Sequence, residues 1–128
     1  MKKSDIENRG DIELLMDRFY SQLMVDPEIG FIFTDIAKID LKKHLPILVD
    51  FWEAIIFQTG QYQGNPMQVH MALHQKQELT EDHFNRWMQL FKQTLDQLFE
   101  GDRTEMAKMR AFLIAGTMKT KLWKSRKT

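Results

Sequence analysis

Few side chains in this sequence could hold a metal or a polar ligand. There are four histidines, two tyrosines and three tryptophans in 128 residues, and no cysteine. The missing cysteine excludes disulfides, thiolate metal sites and thiol nucleophiles. His70 and His74 stand four apart, which places both on one helix face, the spacing a two-histidine zinc site uses. No carboxylate stands in the HExxH arrangement beside them, so zinc chemistry is disfavoured. His83 falls in the first turn of an expected helix and is read as solvated or locally bonded. His44 and His70 lie on apolar helical stretches, where a lone histidine is more often a satisfied core residue than a ligand.

A flat, apolar, iron-bearing ring makes a different demand. Haem iron takes one neutral imidazole, and aromatic or aliphatic side chains sandwich the macrocycle. A ligand on the far side needs one or two hydrogen-bond donors in an otherwise dry pocket. This chain holds candidates for each part. His70 is the candidate ligand, Phe33 and Phe51 the packing, Tyr20 and Trp87 the donors, and His44 a residue near the entrance. Nine Met and nine Phe suit a wall around a non-protein surface, since methionine fills irregular gaps. A loosely specified helical core has the same composition, so residue types alone fit both readings.

The elements that must position these residues read as helices throughout. Asp11 is the expected N-cap of the first, with Ile12, Leu15, Met16, Phe19 and Leu23 at helical spacing and Tyr20 beside Phe19. It should end near Asp26-Pro27, because the residue before proline resists helical geometry. Glu28 to Phe33 forms a short apolar piece of one or two helical turns. Asp40 caps a helix from Leu41 to about Phe57, with a distorted start at Pro46. Its stripe is His44, Leu48, Phe51 and Ile55, with Trp52 at the margin.

Gln58 to Pro66 reads as a loop, and His70 sits in a short segment from Met67 to His74. Thr80 caps a helix from Glu81 to about Phe99, with an inner stripe of Phe84, Trp87, Met88, Phe91, Leu95 and Leu98. Gly101 reads as its terminating glycine. Asp102 with Glu105 resembles a capping box that opens a last helix to about Trp123. There Met106, Met109, Leu113 and Gly116 are expected to face inward, Gly116 in close packing. No alternating strand pattern or internal repeat occurs, so the expected fold class is all-α.

Length sets the remaining bounds. A chain of 128 residues fits a single domain, 1–128, around one core. Lys+Arg and Asp+Glu balance at 18 each, leaving no global field to attract nucleic acid or an acidic membrane. Lys119, Lys121, Lys124, Arg126 and Lys127 form a local basic cluster at the end of the last helix, where they complement its dipole. No apolar run approaches the roughly 20 residues that span a bilayer, and the N-terminus carries no signal-peptide core. The expected location is cytoplasmic.

The order and spacing of the motifs go further. Phe19-Tyr20, then Asp26-Pro27-Glu28-Ile29-Gly30-Phe31-Ile32-Phe33, then His44 eight residues before Trp52, resemble a truncated haemoglobin. Tyr62-x-Gly64-Asn65-Pro66-Met67-x-x-His70 and His83-Phe84-x-Arg86-Trp87-x-x-Leu90-Phe91 resemble the third group of that bacterial family, as does the absence of a Gly-Gly pair. The resemblance runs from about Ile12 to Lys121. It implies a two-over-two helical sandwich around haem b, with His70 as proximal iron ligand, Tyr20 as distal tyrosine and His44 as the distal-helix histidine that gates ligand access. Phe33 matches the ring-packing phenylalanine, Trp87 the distal-pocket tryptophan, and Trp52 the inner-face aromatic of the distal helix. No role carries over to His74, and Pro46 departs from the family pattern.

The implied partners are O2, NO, CO or a similar diatomic. Turnover of the nitric oxide dioxygenase or peroxidase kind would need a separate reductase, because no flavin or nicotinamide motif occurs here. A sensor whose output is occupancy alone, and a haemless domain of globin shape, are the competing readings. A monomer or weak dimer is expected. Lys42, Lys43, Lys76 and Arg86 are all candidates to meet the haem propionates.

Overall fold

The computed structural model describes residues 3–59 and 78–127, with side chains to Thr120. Those residues form helices α1 (Arg9–Leu23), α2 (Leu41–Ile56), α3 (Glu81–Leu98) and α4 (Asp102–Lys127), with a π-helical turn at Ile32–Ile36 between α1 and α2. No strand occurs among them. Helix α1 packs on α2 and α3 on α4, and α1 also meets α3, giving a two-over-two sandwich of helix pairs. No described helix is long and apolar enough to cross a membrane. The Gly64-Asn65-Pro66 turn and the segment with His70 and His74 lie outside the described residues.

Helix α1 buries Ile12, Leu15, Met16, Phe19, Tyr20 and Leu23, the full stripe that helical spacing predicts. Its N-cap is Asn8 rather than the expected Asp11. The Asn8 side chain accepts from the Asp11 N–H at 3.0 Å, and the Asp11 carboxylate accepts from the Glu7 N–H at 2.8 Å. Starting three residues earlier lets Asn8 satisfy an end donor while Asp11 ties down the residue before the cap.

After α1 the chain turns on Asp26, whose carboxylate accepts from the Glu28 and Ile29 N–H groups, each at 3.0 Å. Gly30 fits here because a Cβ would lie 2.9 Å from the Met24 carbonyl oxygen. The expected helical turn then opens into the wider π form, closed by Ala37 N–H to Ile32 carbonyl at 2.8 Å.

Asp40 caps α2, as expected, by accepting from the Lys42 N–H. Pro46 lies inside this helix without interrupting it. Proline removes the bond that would reach the Lys42 carbonyl, but both residues are exposed, so water can replace it. The buried face of α2 is Val49, Trp52 and Ile56. Trp52 is therefore central, not marginal, while His44, Leu48, Phe51 and Ile55 are only half-buried.

Thr80 and His83 close α3 with a reciprocal capping box, the hydroxyl accepting from the His83 N–H and the imidazole Nδ1 from the Thr80 N–H. Of the expected stripe, Phe91 and Leu95 are fully buried and Phe84, Trp87, Met88 and Leu98 half-buried. Leu90 and Thr94 complete the buried face, and the Thr94 hydroxyl donates to the Leu90 carbonyl at 2.8 Å.

Helix α4 departs most from expectation. Its N-terminus is capped by Asp5, not by Asp102. The Asp5 carboxylate accepts from Arg103 N–H at 2.8 Å, Thr104 N–H at 2.9 Å and the Thr104 hydroxyl at 2.8 Å. Gly101 precedes this end at φ 146°, and a Cβ there would lie 2.5 Å from the Asp5 carboxyl carbon. It serves the start of α4 rather than the end of α3. The inward face is Thr104, Ala107, Ala111, Ala115 and Met118. Met106 is half-buried as expected, but Met109 and Leu113 point outward, and nothing stands within 4 Å of a Cβ on Gly116. Small alanines let α4 lie close against its neighbours, which turns its bulky residues to the other side. The helix also runs to Lys127, past the expected Trp123.

Candidate cofactor pocket

Where the two helix pairs splay apart they enclose a cavity of about 420 Å³. Its walls include Tyr20 from α1, Phe33 from the π-turn, His44, Phe51 and Trp52 from α2, and Trp87 from α3. Ala115 and Met118 of α4 close the far side. The size falls within the range of small-molecule sites, and the lining is mainly apolar with few polar groups, as such sites require. Each described residue that the sequence singled out for the pocket therefore meets in one space. His70 and His74 lie outside the described residues.

Tyr20 is the best-defined polar group of the site. It is 6% exposed, and its ring meets Phe19, Phe33 and His44 edge-on at centroid distances of 5.4, 6.0 and 5.9 Å. Burial pushes the phenol well above its ordinary range, so the hydroxyl stays protonated and remains a donor. Among the described residues nothing accepts from it. A buried hydroxyl without a partner is costly, and one at a cavity wall suits a polar ligand inside the cavity.

Trp87 is held from behind. Its ring stacks on Phe91 at 5.2 Å and 12°, and Phe91 stacks in turn on Trp52 at 4.9 Å and 28°. Phe19 meets both Trp87 and Phe91 edge-on, at 5.4 and 5.0 Å. Offset stacking and edge contacts of this kind restrict ring orientation and add to simple burial. The tryptophan faces of α2 and α3 are thus fixed by one phenylalanine between them.

The neighbouring Arg86 holds the same end of α3 to the turn after α1. Its Nε and Nη2 donate to Asp26 Oδ1 at 3.0 and 2.6 Å, and its Nε lies 3.0 Å from a Glu28 oxygen. Arg86 hydrogen bonds hold the Asp26 carboxyl below its usual range, against burial and with help from the Ile29 and Glu28 N–H groups. Arg86 is committed to this contact and is not left for a propionate. Lys42 and Lys43 are exposed on the first turn of α2, and Lys76 lies outside the described residues. Sequence reasoning missed the Asp26–Arg86 pair. Its only local signal was an acidic residue before a proline, a common turn pattern.

The residues present fit haem in kind: a mainly apolar, aromatic slot whose lining includes Tyr20, Trp87 and His44. Comparisons with known proteins agree. A family model described as bacterial-like globin matches residues 6–119. The group 3 truncated hemoglobin ctb of Campylobacter jejuni is 26% identical over 125 residues, covering 95% of this chain and 96% of that protein. The crystal structure of a group III truncated hemoglobin from Campylobacter jejuni matches with a TM-score of 0.80 over 94% of each chain, at 26% identity.

Proposed function

The chain belongs to the bacterial-like globins, and from that premise we propose that it holds haem b through His70 and binds a diatomic ligand beneath Tyr20 and Trp87. Haem-based binding of small ligands comes with the family; the ligand, the donors and the reaction are this reading's own. When bound, the iron offers a site for O2, NO or CO and exchanges single electrons.

The remaining roles belong to the protein. The Tyr20 hydroxyl donates a hydrogen bond to the ligand, and the Trp87 indole N–H is the second fixed donor. Phe33, Phe51 and Trp52 pack against the ring and keep water out. His44, edge-on to Tyr20, stands where ligand passes in or out. Charged acceptors strengthen such hydrogen bonds to about 1.5–3 kcal/mol each, so oxygen is retained rather than transported. Tight retention favours reaction with nitric oxide in the manner of a dioxygenase, while the same polar pocket would suit peroxide turnover in place of oxygen binding. Each requires electrons from a separate reductase.

The observation that carries this reading is the buried Tyr20 hydroxyl, without an acceptor among the described residues, on the wall of an aromatic cavity. The test is an absorption spectrum of the haem-reconstituted protein, ferric and then ferrous with and without carbon monoxide. A stoichiometric Soret band with a histidine-type ferrous carbonyl form is expected, and His70→Ala should abolish the five-coordinate ferrous form. A normal ferrous spectrum in that variant would move the ligand to His74 or elsewhere. Failure to retain haem would leave a helical domain of globin shape.

A further inference from the structure

The outer side of α4 carries an apolar ridge among its polar residues. Met109, Phe112 and Leu113 are 64%, 67% and 53% exposed and stand together on consecutive turns. Contiguous exposed apolar groups on a soluble domain usually mark a contact surface. Toward the C-terminal side the charge around them is basic in sequence. Beyond Glu105 the sequence has seven cations, Lys108 and Arg110 and then five from Lys119 onward, and no carboxylate. The chain is neutral overall, so this basic stretch is offset by an excess of acids in the residues before it. The groove beside the ridge, about 340 Å³ between α3 and α4, includes Lys92, Lys119 and Phe112 and no carboxylate among its lining residues. Lys108 is paired with Asp96 at 2.5 Å and Glu105 at 2.8 Å, and Lys119 lies 3.8 Å from the largely exposed Glu81.

The groove also adjoins the cofactor cavity. Phe84 and Ala115 line both, so one layer of side chains separates surface from cavity. We propose that this ridge and groove dock an acidic one-electron carrier protein, bearing a flavin or an iron–sulfur cluster, that reduces the group in the cavity. The inference rests on the haem reading and names the face through which electrons arrive. One electron leaves the carrier's reduced centre and converts ferric iron to ferrous. No bond is made or broken, and this chain supplies no proton.

Charge argues against a second copy of the chain as the occupant. A two-fold contact would set the α4 cations against themselves. Pairing α4 with a different, acidic surface of another copy would be head-to-tail and would not close without a rotation that completes a ring. An acidic partner meets an apolar centre with a basic rim instead, a design that steers encounter and depends on salt. Small redox encounters need only a limited patch.

The test is calorimetric titration of the full haem-loaded chain with a flavodoxin and with a [2Fe–2S] ferredoxin, both acidic carriers, at low and high salt. Binding that weakens with salt is expected for at least one carrier. The double reversal Lys92→Glu/Lys119→Glu should weaken it about tenfold, and Phe112→Ser about fivefold. Arg18→Glu, on the exposed side of α1, should change it less than about twofold. Circular dichroism melts confirm that each variant folds. The proposal is overturned if neither carrier binds, or if Arg18→Glu weakens binding as much as the double reversal does. It is also overturned if duplex DNA or anionic vesicles bind this face more tightly than either carrier. Sedimentation showing self-association that Phe112→Ser abolishes would assign the ridge to a second copy. The Soret band of the same preparation reports haem independently, so loss of docking alone leaves the haem reading intact.

Discussion

The two ends of α1 solve opposite problems. Around Ile12, Leu15 and Met16 the inward side chains are fully buried, and Asp5, just before the helix, is paired through its cap of α4. Around Tyr20 the walls are aromatic, several of them half-buried, and a buried hydroxyl lacks an acceptor among the described residues. One end is packed for stability, the other kept open for a ligand. Phe91, fully buried between Trp52 and Trp87, is the boundary. Stability and ligand chemistry should therefore respond to different substitutions, and each end offers ways to test that separation.

The largest effect should come at the boundary, where the separation fails. Phe91→Ala removes a buried ring and the stack that holds both tryptophans. It should cost about 3–5 kcal/mol of unfolding free energy, read by urea unfolding, with a change in native tryptophan fluorescence. If stability fell without that fluorescence change, the stack would not be holding the rings.

Tyr20→Phe sharpens the contrast from the ligand side. It should raise the oxygen dissociation rate about 10- to 100-fold, from the hydrogen-bond energy lost, while the melting temperature changes little. An unchanged rate in stopped-flow measurements would remove Tyr20 from the donor role. Asp5→Ala is the mirror experiment at the packed end. Loss of the α4 cap should cost about 1–2 kcal/mol and leave ligand kinetics as they were.

The smallest effect is the response to acid. Asp26 lies below its usual range through Arg86 and two backbone N–H groups. Asp5 lies below it too: burial opposes, but the Arg103 and Thr104 bonds outweigh it. Groups depressed on folding stabilise the protein fully above the unfolded carboxyl value, near 3.9. That stabilisation is lost as pH falls below it, through the folded values. Acid unfolding should accordingly set in below about pH 4 and be shallower in Asp5→Asn or Asp26→Asn. In Asp26→Asn the ligand kinetics should shift as well, because Arg86 sits beside Trp87. An acid profile identical to the parent's in both variants would show that neither carboxylate contributes.

Much of this was legible without coordinates, because helix formation depends on near neighbours. Apolar spacing over three and four residues determined the inward face of α1. Asp40 and Thr80 announced α2 and α3, since a side-chain cap acts within its own turn. The types and order of Tyr20, Phe33, His44, Phe51, Trp52 and Trp87 determined the pocket's chemistry, and the structure gathers them around one cavity. What depends on distance between elements was decided only by tertiary structure. The cap of α4 comes from Asp5, 98 positions before Arg103, and outcompetes the local box that Asp102 and Glu105 suggested. Arg86 finds its acid 60 positions away. The alanine face of α4 is buried and its larger side chains exposed because close approach, not hydrophobicity, chose the inner side. Trp52 lies at the centre of its helix's buried face because Phe91, from another helix, stacks against it.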